Sequence, residues 1–261
     1  MKEYGICDLA FFPLRKEGNH RSEMVSQVLF GEIYSVLEQK DDWMLIELDF
    51  DSYQGWIDRK LFCRVSENFL DKYRIEKAVY TTAWYQQTGS KHQFITTGFG
   101  SRLPLWDGLT FNLNGDEFFV RGVVHREDTE MNLDELLSIA VSLTGVPYLW
   151  GGRSVFGIDC SGFVQSIFKF KSIRLPRDAS QQVHNISPKS FAEASKADLC
   201  FFSNDRGDIT HVGIILEEGK VIHASGKVRI DSIDEKGIYN KDLSEYTHRL
   251  HSLGSLCQLS I

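Results

Sequence analysis

The sequence predicts an α+β protein in which two small all-β barrels precede a mixed domain of helices and strands. Short strand-like runs separated by turn residues fill the first 128 residues. The hydrophobic period then changes from two to about 3.6 in TEMNLDELLSIAVSLTGVPYLWGG, which indicates a helix. A second helical pattern and three more strand-like runs follow, so helices and strands are mixed from residue 129 onwards.

The first two predicted domains both consist of alternating strand-like runs. Residues 1–65 contain SQVLFGEIYSVLEQ and WMLIELDF, and the layout RSEMVSQVLFGE, VLEQKDDWMLIEL and YQGWI resembles a bacterial SH3 domain. Residues 66–128 contain KAVYTTAWYQQ, KHQFITTGFGSRLPLWDG and DEFFVRGVVHR. These runs predict a second, more divergent SH3-like barrel, an interpretation that also draws on the family resemblance of the third domain.

The third predicted domain, residues 129–261, begins with an amphipathic helix. Asn132 is a good N-cap because Glu135 follows three residues later, as in a capping box. Gly145 and Pro147 end the helical pattern.

Composition and charge exclude several classes of protein. The chain has 261 residues, 42% of them hydrophobic, and a formal net charge of −7 without a basic stripe, so we expect a packed protein that does not bind nucleic acid. We also expect no membrane association, because no apolar run approaches ~18 residues, and no export signal is visible. A monomer fits this composition.

The cysteines are widely spread and lack a CxxC pair. Neither a disulfide framework nor a zinc site is predicted, so a reducing compartment, the cytoplasm, fits best. We expect no metal and no organic cofactor. The five cysteines are Cys7, Cys63, Cys160, Cys200 and Cys257.

One cysteine lies where a nucleophile can be activated. In GIDCSGFVQSIFKF, a helix that begins near Asp159 leaves its first backbone N–H groups unpaired beside Cys160. Their partial positive charge favours a thiolate over a thiol. The alternative is that Cys160 is a small buried hydrophobic residue.

Two histidines lie on one predicted hairpin, in THVGIILEE and KVIHAS. A two-residue turn would point His211 and His223 to opposite faces. A three-residue turn with Gly219 in the left-handed conformation sets His223 opposite Gly213, which faces the same way as His211. Glycine suits that position, so both imidazoles are predicted on the face where the helix of Cys160 can pack.

This arrangement supplies a nucleophile, a base and an orienting group. His211 would accept the proton of the Cys160 thiol, and His223 would hold the ring of His211 in position. The remaining histidines lack partners in any motif, and most are expected at the surface: His20, His92, His125, His184, His248 and His251.

The motifs PYLWGG, DCSGFVQ, LPRDASQQ, DLCFF, HVGIIL and IHASG occur in the order found in NlpC/P60 cysteine peptidases, and residues 129–261 resemble that family. The resemblance implies a papain-like α+β fold. It also implies that Cys160 is the nucleophile, His211 the base and His223 the third polar residue. The backbone N–H of Cys160 would then contribute to the oxyanion hole.

The branch in which SH3 domains precede the peptidase is the most similar, and it cleaves murein peptides after D-glutamate. The resemblance implies a γ-D-glutamyl-L-diamino acid endopeptidase in which one SH3 domain walls off the cleft. Tyr53 matches the tyrosine that closes the subsite for a terminal L-alanine, and Glu32 and Asp159 match acidic residues near its free amine. The implied substrate is a murein tri- or tetrapeptide containing diaminopimelate and a free N-terminal alanine, recycled in the cytoplasm.

Other residues of these motifs have two interpretations each. Tyr148 and Trp150 either line the cleft or belong to an aromatic core. Arg177 and Asp178 either contact substrate carboxylates or pair with one another across a turn. Ser161, which follows the nucleophile, is a further candidate substrate contact.

Three alternative functions fit the same motifs. A wall-remodelling hydrolase of the same fold would act on intact murein. A non-catalytic protein would bind wall peptides through the SH3 domains, although Cys160, His211 and His223 are all present. An acyltransferase or amidase would use the same triad with another acceptor.

Overall fold

The computed structural model describes residues 2–90 and 94–257, and the chain divides into two compact units. The first unit comprises Met1–Glu130 and Trp150–Val155. The second comprises Met131–Leu149 and Phe156–Ile261. Strands dominate the first unit and helices join strands in the second, which confirms the predicted α+β class. Within the described residues, no helix has both the length and the apolar character that a bilayer span requires.

The first unit begins with seven strands that form one antiparallel sheet. They are β1 (Tyr4–Ile6), β2 (Phe11–Arg15), β3 (Met24–Leu29), β4 (Ile33–Lys40), β5 (Trp43–Leu48), β6 (Gln54–Asp58) and β7 (Cys63–Arg64). Their order in the sheet is β3-β2-β6-β5-β4-β1-β7. Alternate residues of β2 and β5 are buried, and Phe12, Tyr34 and Ile46 belong to the core beneath them. The all-β character predicted for this part is confirmed.

One helix and six short strands continue the first unit. They are α1 (Glu67–Ile75), β8 (Val79–Thr81), β9 (Tyr85–Gly89), β10 (Phe94–Gly98), β11 (Thr110–Leu113), β12 (Asp116–Phe119) and β13 (Val124–Arg126). Strands β10, β9, β12 and β11 form a sheet in that order, and β13 pairs with β8. Helix α1 is not among the predicted elements, although the Ser66 side chain caps it by accepting from the N–H of Phe69 at 3.2 Å.

A shared core joins the two predicted barrels. Ile6 and Phe30 from the first sheet cluster with Phe111 and Phe118 from the later strands. The rings of Phe30 and Phe111 lie 5.6 Å apart, and those of Phe111 and Phe118 stack at 5.1 Å. The division of this unit at residue 65 and the barrel form of its second half stay predictions.

The first unit also contains strand β14 (Arg153–Ser154), and the second unit contains the remaining elements. These are α2 (Leu133–Ser142), β15 (Gly157–Ile158), α3 (Cys160–Phe168), α4 (Ala179–Gln182), β16 (Ile186–Lys189), β17 (Leu199–Ser203), β18 (Ile209–Glu217), β19 (Lys220–Ser225), β20 (Lys227–Asp234), β21 (Gly237–Asn240) and β22 (Glu245–Leu256). Short 3₁₀ turns cover Arg59–Leu61, Lys169–Lys171, Val183–Asn185 and Phe191–Glu193.

The sheet of the second unit has the order β16-β22-β17-β18-β19-β20-β21. Strand β22 also pairs with β21, so six of these strands close into a ring. Helix α3 is buried along its whole length and packs against β18 and β19. Helix α2 has the predicted capping box, in which Asn132 and Glu135 exchange hydrogen bonds at 2.9 Å. The core under α3 therefore brings the cysteine helix onto the predicted histidine hairpin.

Candidate active site

Cys160 is the first residue of α3, as the sequence predicts. Asp159 is the N-cap, and its Oδ1 accepts a hydrogen bond from the N–H of Gly162 at 2.7 Å. The Cys160 side chain is 6% exposed, and its sulfur meets the backbone N–H of Val212. The thiol therefore lies beside the residue that follows His211 on β18.

The histidine hairpin has the predicted register. The predicted three-residue turn is wrong, because Glu217 pairs with Lys220 and only Glu218 and Gly219, which has φ +69°, lie between them. A bulge between Ile215 and Glu217 supplies the one-residue shift that the longer turn was expected to give. His223 consequently pairs with Gly213 across the hairpin, two residues beyond His211. A Cβ at Gly213 would lie 3.2 Å from that of His223, so glycine lets the second imidazole pack close to β18. The prediction that both rings share a face is confirmed.

A chain of hydrogen bonds links the two imidazoles to a carboxylate. The Nε2 atom of His211 lies 2.8 Å from Nδ1 of His223, and Nε2 of His223 lies 3.0 Å from Oδ2 of Asp231. Asp231 lies on β20, and Arg229 pairs with it at 2.7 Å and also pairs with Asp242 at 3.0 Å. Burial raises the pKa of Asp231, but hydrogen bonds from His223 and Arg229 outweigh burial and hold the pKa below its usual value.

An ionised Asp231 determines where the protons lie on both rings. The carboxylate accepts from Nε2–H of His223, so Nδ1 of a neutral His223 has a lone pair. That lone pair accepts from Nε2–H of His211, and Nδ1 of His211 is left to accept a proton. The chain thus prepares His211 as a base. Asp231 is absent from the sequence prediction, because no motif connects it to His223 and the pairing of β19 with β20 is needed to find it.

The protonation state of the thiol differs from the expectation. Burial raises the pKa of Cys160 to about 12, and the nearby Asp159 carboxylate acts in the same direction. The N–H of Val212 and the Arg177 guanidinium lower the pKa by less. Burial also lowers the pKa of His211 well below 6.5, with smaller effects of the same sign from His223 and His248. Burial therefore opposes the charged form of both the thiol and the imidazole, and for Cys160 it outweighs the partial positive charge of the helix N-terminus.

A third histidine, His248, lies at the same place. It comes from β22, and its ring stacks on that of His211 with centroids 4.1 Å apart. Phe202 packs against both rings at 5.7 and 5.9 Å. Burial, then the nearby His223, lowers the pKa of His248 to about 4. His248 departs from the expectation that most histidines outside the motifs lie at the surface, because the pairing of β22 with β17 places it against His211 and no sequence spacing reports that pairing. His92, in the same expectation, lies outside the described residues.

Asp159, Ser161 and Arg177 form one buried polar cluster beside the nucleophile. Arg177 is 1% exposed, and its guanidinium donates to Asp159 at 2.5 and 3.0 Å and to Ser161 Oγ at 2.9 Å. The sequence predicts a substrate carboxylate or Asp178 as the partner of Arg177, and the structure shows an ion pair with Asp159. Asp178 is the N-cap of α4 and is partly exposed. Substrate contacts by these four residues stay predictions.

The aromatic pair of PYLWGG is divided between the units. Tyr148 is half-buried, and burial followed by the nearby Cys160 and Asp159 raises its pKa to about 12. Its phenol therefore lies near the nucleophile. Trp150 belongs to the first unit, where its indole N–H donates to Glu23 Oε1 at 2.7 Å. A cleft-lining role for either ring stays a prediction.

Glu32 and Tyr53 lie in the first unit. The Glu32 carboxylate accepts two 2.8 Å hydrogen bonds from Arg153, which is fully buried, and a third from the N–H of Leu29 at 2.9 Å. Tyr53 packs against the core of the first sheet. The arginine neutralises the charge of Glu32, so a substrate ammonium would be an additional partner of this carboxylate. Both substrate contacts stay predictions.

Comparison with known proteins places this fold and site in a family. Residues 145–246 match the NlpC/P60 family, and residues 14–60 match the bacterial dipeptidyl-peptidase SH3 domain. A probable endopeptidase NlpC homolog from Haemophilus influenzae is 35% identical over 56% of this chain and 79% of its own length. The chain belongs to the NlpC/P60 family, and its class is that of a peptidase.

Two further relatives cover more of the chain. A γ-D-glutamyl-L-lysine dipeptidyl-peptidase from Bacillus cereus is 28% identical over 78% of this chain and 68% of its own length. A crystal structure of an NlpC/P60 family protein from Bacillus cereus superposes with a TM-score of 0.82 at 22% identity. That alignment covers 98% of this chain and 99% of the other, which shows that the fold is shared.

Proposed function

We propose that the protein is a cysteine peptidase that hydrolyses the bond between the γ-carboxyl of D-glutamate and a diamino acid in peptides derived from peptidoglycan. The observation that carries the proposal is the hydrogen-bonded chain from Asp231 through His223 to His211, with Cys160 at the adjoining helix N-terminus. The substrate class draws on the similar γ-D-glutamyl-L-lysine dipeptidyl-peptidase.

Acylation begins with transfer of the Cys160 thiol proton to Nδ1 of His211 as sulfur attacks the γ-carbonyl carbon. Because both groups are neutral at rest, the proton transfer accompanies the attack. The backbone N–H of Cys160, unpaired at the first turn of α3, opposes the charge that develops on the carbonyl oxygen. His223 and the ionised Asp231 stabilise the imidazolium form of His211.

The tetrahedral intermediate collapses when Nδ1–H of His211 protonates the amine of the diamino acid, and the C–N bond breaks. The amine leaves, and a thioester joins Cys160 to the glutamyl dipeptide. Water then transfers a proton to His211 and attacks the thioester carbon. The carboxylic acid leaves, and the thiol of Cys160 regains its proton.

The proposed substrate has a free N-terminal L-alanine. The Bacillus cereus relative is named a dipeptidyl-peptidase, a type of enzyme that removes two residues from an N-terminus, and this supports the requirement. The proposed role is recycling of small murein peptides in the cytoplasm. The supporting observation is that the cysteines are widely spread and lack a CxxC pair, which fits a reducing compartment. All five cysteines are free thiols in the structure. The proposed diamino acid is diaminopimelate, and lysine is the competitor that the relative's name suggests.

The test is mass spectrometry of four peptides incubated with the purified protein. L-Ala-γ-D-Glu-meso-diaminopimelate, its L-lysine analogue and the N-acetylated form of each are compared. We expect release of L-Ala-D-Glu from the free peptides only, with diaminopimelate preferred. Equal cleavage of acetylated peptides would refute the free-terminus requirement. Failure to cleave any of the four would overturn the proposed substrate class.

Intact murein sacculi provide the discriminating second substrate. A wall-remodelling hydrolase would release soluble fragments from them, whereas the proposed recycling enzyme would not. Binding of sacculi without cleavage of sacculi or peptides would instead support the wall-binding alternative. The Cys160→Ala variant is the control, because it separates hydrolysis by this thiol from a contaminating activity.

A further inference from the structure

We infer that His211, His223 and His248 form a binding site for a divalent transition metal ion such as Zn²⁺, and that the ion switches the peptidase off. One ring nitrogen from each histidine lies within 4.8 Å of the other two. Imidazole nitrogen is a preferred ligand of Zn²⁺ in proteins. This site goes beyond the proposed catalytic function, because His248 has no part in the mechanism above.

Each ring has one nitrogen held by a neighbour and one available to a metal. Asp231 accepts from Nε2 of His223, which leaves Nδ1 of that ring. The Thr247 hydroxyl lies 2.9 Å from Nδ1 of His248 and can accept its proton, which leaves Nε2. Nε2 of His211 already lies 2.8 Å from Nδ1 of His223. Once the proton of His211 has moved from Nε2 to Nδ1, one lone pair from each ring is available to a common ion.

The rings must rotate to hold an ion, because His248 stacks on His211 with centroids 4.1 Å apart and planes at 30°. Zn²⁺ bonded to nitrogen at about 2.1 Å in tetrahedral geometry requires ligand atoms about 3.4 Å apart. The His211 and His223 nitrogens must open slightly from 2.8 Å, and the widest separation must close from at most 4.8 Å. Because His211 and His223 are nearly perpendicular, at 87°, their nitrogens can point to a common ion without a ring clash.

Asp231 completes the arrangement that metal-binding histidines usually show. A ligating imidazole generally donates its other N–H to a carboxylate, which fixes its tautomer and makes it a better ligand. His223 has this partner in Asp231, which is itself paired with Arg229. His248 is the most exposed of the three ligands.

A bound ion would remove the base. Catalysis needs the His211 proton on Nε2, where it bonds to His223, and a lone pair on Nδ1. A metal can bind Nε2 only when that nitrogen has a lone pair, so the ring proton moves from Nε2 to Nδ1. The neutral ring then has no acceptor for the Cys160 proton. We expect turnover to fall in proportion to the fraction of protein molecules that hold an ion at the three histidines.

The experiment is a metal titration of the full chain after chelator treatment and gel filtration. Calorimetry with Zn²⁺ measures affinity, and absorption spectra with Co²⁺ report the ligands. We expect one ion per chain, and at least a tenfold weaker affinity in His248→Gln. His251→Gln is the matched control, because His251 is an exposed histidine on the same strand, and its affinity should equal that of the parent.

The Cys160→Ser variant separates a histidine site from a thiolate site. We expect it to bind the ion as tightly as the parent protein, with no thiolate-to-cobalt charge-transfer band in either. Absence of binding, or binding that is lost in Cys160→Ser and kept in His248→Gln, would overturn the proposal. Because these readouts are binding and spectra, they stand whether or not the proposed peptide is the substrate.

Discussion

The Nε2 atom of His211 lies 2.8 Å from the Nδ1 atom of His223, so the proton of one ring is assigned by the other. This bond connects the base to a carboxylate, Asp231, that no motif of the sequence identifies. Cys160 and His211 are both neutral at rest, because burial opposes the charged form of each. The site therefore depends on general-base transfer rather than on a preformed ion pair.

Cys160→Ala is expected to lower kcat by about 10⁴-fold or more, because the nucleophile is lost. Circular dichroism and the unfolding midpoint should remain close to those of the parent protein. Cys257→Ser is the control, since Cys257 is exposed and should be dispensable. Substantial turnover by Cys160→Ala would show that another group attacks the substrate.

Asp231→Ala is expected to lower kcat by about 10- to 100-fold with little change in KM, because His223 loses the acceptor that fixes its tautomer. Steady-state kinetics on the cleaved peptide measure both constants. Asp242→Ala is the control, because it removes the second carboxylate partner of Arg229. The Asp242 side chain is 78% exposed, so this change should leave kcat within about twofold. Equal losses in the two variants would assign Asp231 a merely structural role.

The acid limb of kcat/KM is expected below pH 6.5. His211 must be neutral to accept the thiol proton, and burial lowers its pKa well below that value. Activity should therefore persist at pH 6, where an ordinary imidazole is mostly protonated. The alkaline side should show no rise near pH 9, because burial raises the pKa of Cys160 to about 12. Initial rates between pH 4.5 and 9.5 check both statements, and an acid limb above pH 6.5 would contradict the first.

Glu32→Ala is expected to destabilise the first unit by about 3 to 5 kcal/mol, because the fully buried Arg153 loses its carboxylate partner. Urea unfolding measures the change in free energy. Asp42→Ala is the control, since the Arg59–Asp42 pair is exposed and should contribute less than about 1 kcal/mol. A change below 1 kcal/mol in Glu32→Ala would mean that water reaches Arg153.

Local chemistry in the sequence predicts the parts of the site that lie close together in the chain. The N-cap Asp159 and the apolar pattern after it locate Cys160, and the glycine at position 219 locates the turn of the histidine hairpin. The bulge between Ile215 and Glu217, which aligns His211 with His223, has no signal in the sequence. Resemblance to a family then assigns roles to these residues. Each signal operates over a dozen residues or fewer, where spacing and backbone preference are sufficient.

Long-range strand pairing determines what the sequence does not predict. Asp231 and His248 reach the histidines only because β20 and β22 take particular neighbours in the sheet. Arg153 meets Glu32 across 121 residues of chain. The end of a helix also predicts a more acidic Cys160 thiol, but the cost of burial is a property of the assembled core and acts in the opposite direction.

The histidine hairpin places an evolutionary restriction on one very short loop. Glu217 and Glu218 at its turn are exposed, and exposed turns usually permit insertions and deletions. A single added or deleted residue there would reverse the facing of every side chain on β19, including His223, while the strand could still pair. Among descendants of this gene, length changes at this turn should therefore accompany loss of hydrolysis, even where the fold persists.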